Sequence, residues 1–95
     1  EISEVLQLPF IQENWNTGKH LVEQEFITKD GKSYRPDRII KQSDKTLLID
    51  FKTGVKSDKD KKQINNYAAL LDEIGYQNIS KHLIYLNPAE VITVD

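Results

Sequence analysis

Cysteine and methionine are both missing from this chain of 95 residues. Without cysteine the chain has neither a disulfide framework nor a thiolate metal site, which is compatible with a reducing cytosol, and we expect a cytoplasmic protein. Without methionine it has no initiator residue, and it opens on Glu1 within a helical pattern. We therefore expect a fragment excised from the C-terminal part of a longer protein; the alternative is a processed full-length chain.

Long apolar runs are missing too. No stretch of the sequence is long enough to span a bilayer, and the first residues lack the pattern of a secretory signal, so we expect no membrane partner. Hydrophobic residues make up 38% of the chain and charged residues 29%. This balance is typical of a folded domain with a modest core and a solvated exterior, and we treat residues 1–95 as one domain.

An excess of positive charge is the third absence, since the formal net charge is −2. Proteins that bind DNA tightly on their own usually present a basic surface, so this class is disfavoured. A module that receives its strand from a larger machine needs less charge of its own. The lysine-rich stretch 56–62 fits a solvated loop leading into a helix, and it also fits an edge that contacts phosphates.

The periodicity of the apolar residues predicts an α/β fold around a mixed sheet, with the order α-β-β-β-α-β-β. The predicted helices cover residues 1–8, with Pro9 ending or restarting the first, and a second helix from Ser57 or Asp58 to Glu73 or Ile74. The predicted strands cover residues 21–28, 34–41, 46–53, 82–86 and 91–94. Short turns between the first three strands predict an antiparallel meander, and the apolar fourth strand is typical of one that runs parallel to the third.

Two of these strands carry acids that a buried strand does not normally tolerate, Asp37 and Asp50. Residues two apart in a strand share a face, so Asp50 and Lys52 project together while Ile49 and Phe51 point the other way. If Asp37 joins them, two carboxylates repel unless a hard divalent cation such as Mg²⁺ or Mn²⁺ lies between them. The same spacing also fits a surface hairpin with ordinary salt bridges.

The order of these residues is more specific than their spacing. Pro36-Asp37 is followed after twelve residues by Asp50-Phe51-Lys52 and then by Thr53-Gly54, with Gln63 and Tyr67 further on. This arrangement resembles the signature of the PD-(D/E)XK nucleases. The runs RPDRII, LIDFKTG and QINNYAALL resemble the RecB/AddAB-type branch, the nuclease domains attached to UvrD-like helicases. The resemblance covers roughly residues 20–87 and implies a restriction-endonuclease-like core.

The resemblance implies a role for each matching residue. Asp37 and Asp50 would be the metal ligands, with the carbonyl of Phe51 as a third, and Lys52 the catalytic cation. Glu23 matches the first-strand glutamate of the family, but Glu25 lies on the same predicted face and either acid could be the equivalent. Gln63 and Tyr67 are four residues apart on one helix face; they either orient the substrate phosphate or the lysine, or simply pack on the sheet.

The histidines are not given a role in the predicted site. Many members of this branch use an upstream helical histidine as a metal ligand, whereas His20 directly precedes the first predicted strand and does not match. We expect His20 to be a surface residue and His82 to be structural. Trp15 is expected to pack rather than to stack on a base.

The resemblance predicts a deoxyribonuclease that depends on Mg²⁺ (or Mn²⁺) and resembles exonuclease V. It would process DNA ends in DNA repair, with DNA as substrate and a helicase domain as partner in the same polypeptide or complex. One alternative is an inactive nuclease-fold module that binds DNA or a helicase. Another is an unrelated α/β interaction module.

Overall fold

The computed structural model of the chain describes residues 2–95, and the side chains of Ile2 and Ser3 fall outside that description. The helical start predicted at Glu1 also lies outside the described residues. The described residues form an α/β fold with the helices α1 (Ile2–Leu6), α2 (Pro9–Asn14) and α3 (Asp58–Glu73). Their strands are β1 (Lys19–Val22), β2 (Phe26–Ile27), β3 (Ser33–Tyr34), β4 (Arg38–Lys41), β5 (Thr46–Lys52), β6 (Ile79–Leu86) and β7 (Ala89–Val94). None of these helices is long and apolar enough to cross a membrane.

Five strands form one mixed sheet in the order β1-β4-β5-β6-β7. Strands β1, β4 and β5 are antiparallel neighbours, which confirms the predicted meander. Strand β6 runs parallel to β5, and helix α3 forms the crossover between them. Strand β7 returns antiparallel to β6. The strand that carries Asp50 is therefore the central one, with its end beside the helix.

The first two predicted strands are each interrupted, so the predicted three strands before α3 are five in the structure. Strand β1 ends at Val22, because Glu23 adopts a left-handed conformation with φ of 50°. Pro36, which lacks an N–H and is buried, lies between β3 and β4 and outside both ladders. Strands β2 and β3 consequently leave the main sheet and pair with each other around the Asp30-Gly31 turn.

The sheet separates two apolar layers, as the alternation along β4 and β5 predicts. The layer under α1 and α2 contains Val5, Ile11, Ile40, Leu47, Ile49 and Ile84. The layer under α3 contains Ile39, Leu48, Ile64, Leu71, Leu83 and Tyr85. Burying an aliphatic side chain of this size stabilises the fold by roughly 1.5–3 kcal/mol. The two layers hold β5 rigidly from both sides.

Helix α3 begins and ends where the sequence predicts. The Ser57 side chain accepts a hydrogen bond from the Lys59 N–H (3.0 Å) and caps the first turn. Gly75, with φ of 110°, follows the last turn in the conformation that favours glycine. Ile64 and Leu71 are fully buried, but Ile74, predicted to lie on the apolar stripe, is 51% exposed. The cap and the buried stripe fix the face that α3 turns toward β5.

Candidate active site

Asp37 and Asp50 lie opposite each other at the ends of β4 and β5. The β4–β5 register pairs Arg38 with Ile49, so one further residue brings Asp37 opposite Asp50. The Asp37 N–H donates to Oδ1 of Asp50 (3.0 Å), and the Phe51 N–H donates to Oδ2 of Asp37 (2.8 Å). The two carboxylates are thus each held by the other strand's backbone. One oxygen of each carboxylate lies outside these two bonds.

The Asp50 carboxyl is buried, with 3% of the residue exposed. Burial raises its pKa to about 6, and the neighbouring charges of Asp37 and Asp60 act in the same direction. The hydrogen bond from the Asp37 N–H and the charge of Lys52 oppose this rise. A second positive charge at this position would stabilise the ionised carboxylate, and such perturbed groups cluster at functional sites.

Lys52 projects from the same face of β5 as Asp50 and is held by helix α3. Its Nζ donates to Oε1 of Gln63 (2.5 Å), and Nε2 of Gln63 donates to the Tyr67 hydroxyl (3.3 Å). Burial raises the pKa of Tyr67, as do the charges of Asp50 and Asp37. Lys52, Gln63 and Tyr67 therefore form a hydrogen-bonded chain, and the charge of Lys52 acts on the neighbouring pair of Asp37 and Asp50.

The opposite face of β5 is apolar, as predicted. Ile49 belongs to the layer under α1 and α2, and Phe51 packs against that layer with its ring 6.2 Å from Trp15. Trp15 is therefore a packing residue. The role of the Phe51 carbonyl as a metal ligand stays a prediction.

Neither first-strand acid lies on a continuous strand, because β1 ends before Glu23. The expectation that Glu23 and Glu25 share a strand face is therefore wrong. Glu23 still lies beside the site through its backbone, since its N–H donates to the Asp37 carbonyl (3.1 Å), while its side chain is exposed. The Glu25 carboxylate accepts a hydrogen bond from the Ser33 hydroxyl of the β2–β3 hairpin. This difference favours Glu23 as the acid nearer the site.

His20 is half-buried at the start of the edge strand β1. Its Nδ1 accepts a hydrogen bond from Nη1 of Arg38 (2.8 Å), and the Arg38 guanidinium lies 4.6 Å from the centre of the Trp15 ring. Arg38 and Ile49 form a register pair on the face away from Asp50, so His20 takes part in packing there. His82 is buried and bonded to Ser80 and Thr93, as a structural residue.

Two residues of this region have no counterpart in the sequence prediction, Asp60 and Tyr85. The buried Tyr85 hydroxyl donates to Oδ2 of Asp60 (2.8 Å). Burial raises the pKa of Tyr85 to about 12, and the bond to Asp60 acts in the same direction. The spacing of Asp60 three residues before Gln63 is the only signal in the sequence that places it on the same helix face.

The donor set fits a hard cation with few protein ligands. No cluster of three or more metal-ligating side chains occurs among residues 2–95 as described. The carboxylates of Asp37 and Asp50 remain, and such oxygen donors suit Mg²⁺ or Mn²⁺, which keep several waters in sites of this kind. The buried Asp50 carboxylate supports this fit, because burial of its charge calls for compensation.

No protein-family model matches the chain, and no curated protein matches it either. The resemblance to PD-(D/E)XK nucleases therefore rests on the sequence motifs and stays a prediction.

Proposed function

We propose that this chain is a metal-dependent deoxyribonuclease domain of the PD-(D/E)XK type with a restriction-endonuclease-like core. The observation that carries the proposal is the pair of carboxylates, Asp37 and Asp50, held by each other's backbone amides beside Lys52. In a purely structural hairpin the buried Asp50 carboxyl is costly to ionise, because burial raises its pKa to about 6. A cation bound beside it would stabilise the ionised form and so remove that cost.

Each residue has a role in this proposal. Asp37, Asp50 and the Phe51 carbonyl would hold Mg²⁺ or Mn²⁺, with Glu23 reaching it through water. When bound, the ion lowers the pKa of water and stabilises charge on a phosphoryl oxygen. Lys52 presents a fixed ammonium to the phosphate, Gln63 holds that ammonium by its amide oxygen, and Tyr67 holds Gln63. A positioned charge of this kind stabilises the transition state more strongly in a partly buried site than it would in water.

The low positive charge of the chain supports a particular setting for the proposed nuclease. With a net charge of −2, the domain attracts DNA weakly on its own. We propose that a helicase domain in the same polypeptide or complex delivers the strand in the cytoplasm, and that the domain processes DNA ends as a RecB-like exonuclease does.

Metal binding tests the site directly. A ligand that binds only the folded state at one hundred times its Kd adds about 2.7 kcal/mol of stability. For a domain of this size, Mg²⁺ or Mn²⁺ at that excess should therefore raise Tm by roughly 10–20 °C. Asp50→Ala should abolish the rise, whereas Asp44→Ala, in the exposed β4–β5 turn, should keep it. The absence of any metal-induced rise in the wild type would count against the proposed site.

Cleavage tests the chemistry. Lys52→Ala should keep the metal-induced rise in Tm and lower cleavage of labelled DNA by about 100-fold or more, because a fixed positive charge is lost. Lys19→Ala, on the exposed edge strand β1, should cut like the wild type. A wild type that binds metal, binds DNA and cuts neither single nor double strands would favour the inactive module instead.

A further inference from the structure

One face of α3 presents three polar side chains to three different strands. Asp60, Gln63 and Tyr67 follow at intervals of three and four residues and so lie on one side of the helix. Asp60 accepts from Tyr85 on β6, Gln63 accepts from Lys52 on β5, and the Tyr67 ring packs edge-on against Tyr34 on β3 with the ring centres 5.6 Å apart. Helix α3 is therefore joined to the five-stranded sheet at two points and to the β2–β3 hairpin at a third.

The contact between Asp60 and Tyr85 is the most rigid of the three. Tyr85 is 4% exposed, belongs to the core layer under α3 and has few conformations open to it. It also pairs with Lys52 in the parallel β5–β6 register. By contrast, Gln63 is exposed and Lys52 is half-buried, so packing does little to restrict these two long side chains.

We propose that Asp60 and Tyr85 are positioning residues: their bond fixes the first turn of α3 so that Gln63 holds the Lys52 ammonium beside Asp37 and Asp50. Gln63 lies one turn beyond Asp60, so a rotation of that turn would move its amide oxygen away from Lys52. The effect on hydrolysis rests on the proposed nuclease function. The effect on the contact between Lys52 and Gln63 does not.

The chain offers matched variants for a test. Tyr85→Phe and Asp60→Ala remove the bond, while Asp60→Asn removes the charge and retains an oxygen that can accept from Tyr85. Asn65→Ala is the control, because Asn65 also joins α3 to β6, through Nζ of Lys81 (2.7 Å), but lies outside the three-residue face. Unfolding curves of all four variants identify any that fails to fold, and Tyr85→Phe, which loses only the hydroxyl group, keeps the test decisive if Asp60→Ala does not fold.

The first readout needs no activity. The side-chain amide resonances of Gln63, assigned by their loss in Gln63→Ala, report its contact with Lys52 in ¹H–¹⁵N spectra. We expect them to move toward those of exposed glutamines in Tyr85→Phe and Asp60→Ala, and to stay in place in Asp60→Asn and Asn65→Ala. Unchanged resonances in Tyr85→Phe and Asp60→Ala would overturn the proposal, as would equal movement in Asn65→Ala.

The second readout is cleavage of labelled DNA. Tyr85→Phe and Asp60→Ala should lower kcat by about tenfold or more at unchanged KM, because a misplaced group slows the reaction without weakening binding. Asp60→Asn should restore most of the rate. If the wild type does not cut DNA, the nuclease function fails while the resonances still decide the positioning role; if the resonances move and kcat does not, positioning of Lys52 for hydrolysis is overturned.

Discussion

At the residue scale, Asp50 shows a conflict between stability and function. Its pKa is raised from 3.8 to about 6, so the folded state binds the proton more tightly than the unfolded chain does. The stability that this group contributes is present below pH 3.8 and is lost as pH rises through about 6. At neutral pH, the ionisation of Asp50 therefore lowers the free energy of unfolding of the metal-free protein by roughly 3 kcal/mol. A bound cation would offset this cost, because it stabilises the ionised carboxylate.

This conflict predicts that Asp50→Asn stabilises the metal-free protein at neutral pH. Asparagine keeps an oxygen for the Asp37 N–H and removes the buried charge, so unfolding in urea with a chelator present should require roughly 1–3 kcal/mol more at pH 7.5. Below pH 4, where Asp50 is protonated, the gain should vanish. Asp44→Asn, in the exposed turn, should change little at either pH. Destabilisation by Asp50→Asn at pH 7.5 would contradict the prediction.

At the scale of elements, the approach of β1 to β4 depends on Gly18. This residue has φ of +65°, and a Cβ on it would lie 2.5 Å from the Lys41 carbonyl oxygen. Gly31, with φ of +87° and no atom within 4 Å of such a Cβ, provides a matched control. An alanine at either position would be strained by the left-handed backbone conformation, but only an alanine at position 18 would also clash with the backbone of Lys41.

We therefore predict different costs for the two alanine substitutions. Gly31→Ala should lower the free energy of unfolding by about 1 kcal/mol, from the left-handed conformation alone. Gly18→Ala should lower it by more than about 2 kcal/mol, because β1 must also move away from Lys41. Urea unfolding of the two variants beside the wild type measures the difference. If both variants lost the same free energy of unfolding, the close approach of Gly18 to Lys41 would make no contribution to stability.

The elements also show which parts of the fold follow from local pattern. The alternation along β5 predicts that Asp50 and Lys52 share one face and that Ile49 and Phe51 point the other way, and the structure confirms it. The first of these faces lies toward α3. Helix α3 is predicted to within one residue by its cap and its glycine. Both depend on neighbours in the sequence, which a periodic pattern can represent.

The breaks in the first two strands depend instead on distant residues. Glu23 leaves the strand where its N–H meets the Asp37 carbonyl, a contact across fourteen positions that no local pattern encodes. The crossed bonds of Asp37 and Asp50 require the register of β4 and β5, and the bond of Asp60 requires Tyr85, 25 residues away. The motif therefore predicts which residues meet, and the register determines how they are held.

At the scale of the whole molecule, two buried titratable groups lie on opposite faces of the sheet. Asp50 faces α3, whereas His82 lies under α2, with its ring centre 4.3 Å from that of Phe10. Burial, together with the charge of Lys45, lowers the pKa of His82 from 6.5 to about 4. The folded state therefore resists protonation of His82, and the stability it contributes above pH 6.5 is lost as pH falls through about 4.

These two titrations have opposite signs over nearly the same pH range, so they should largely cancel in the metal-free protein. Acidification from pH 7 to pH 4 gains roughly 3 kcal/mol from Asp50 and loses roughly 3 kcal/mol from His82. Asp50→Asn lacks the gain from Asp50, so acidification should destabilise it relative to the wild type. His82→Gln lacks the loss from His82 and keeps polar atoms near Ser80 and Thr93, so acidification should stabilise it relative to the wild type. Urea unfolding of the three proteins across this range, with a chelator present, measures both slopes. If the stability of all three proteins changed with pH in the same way, burial would perturb the titration of neither Asp50 nor His82. The raised pKa of Asp50 could then no longer support a cation site.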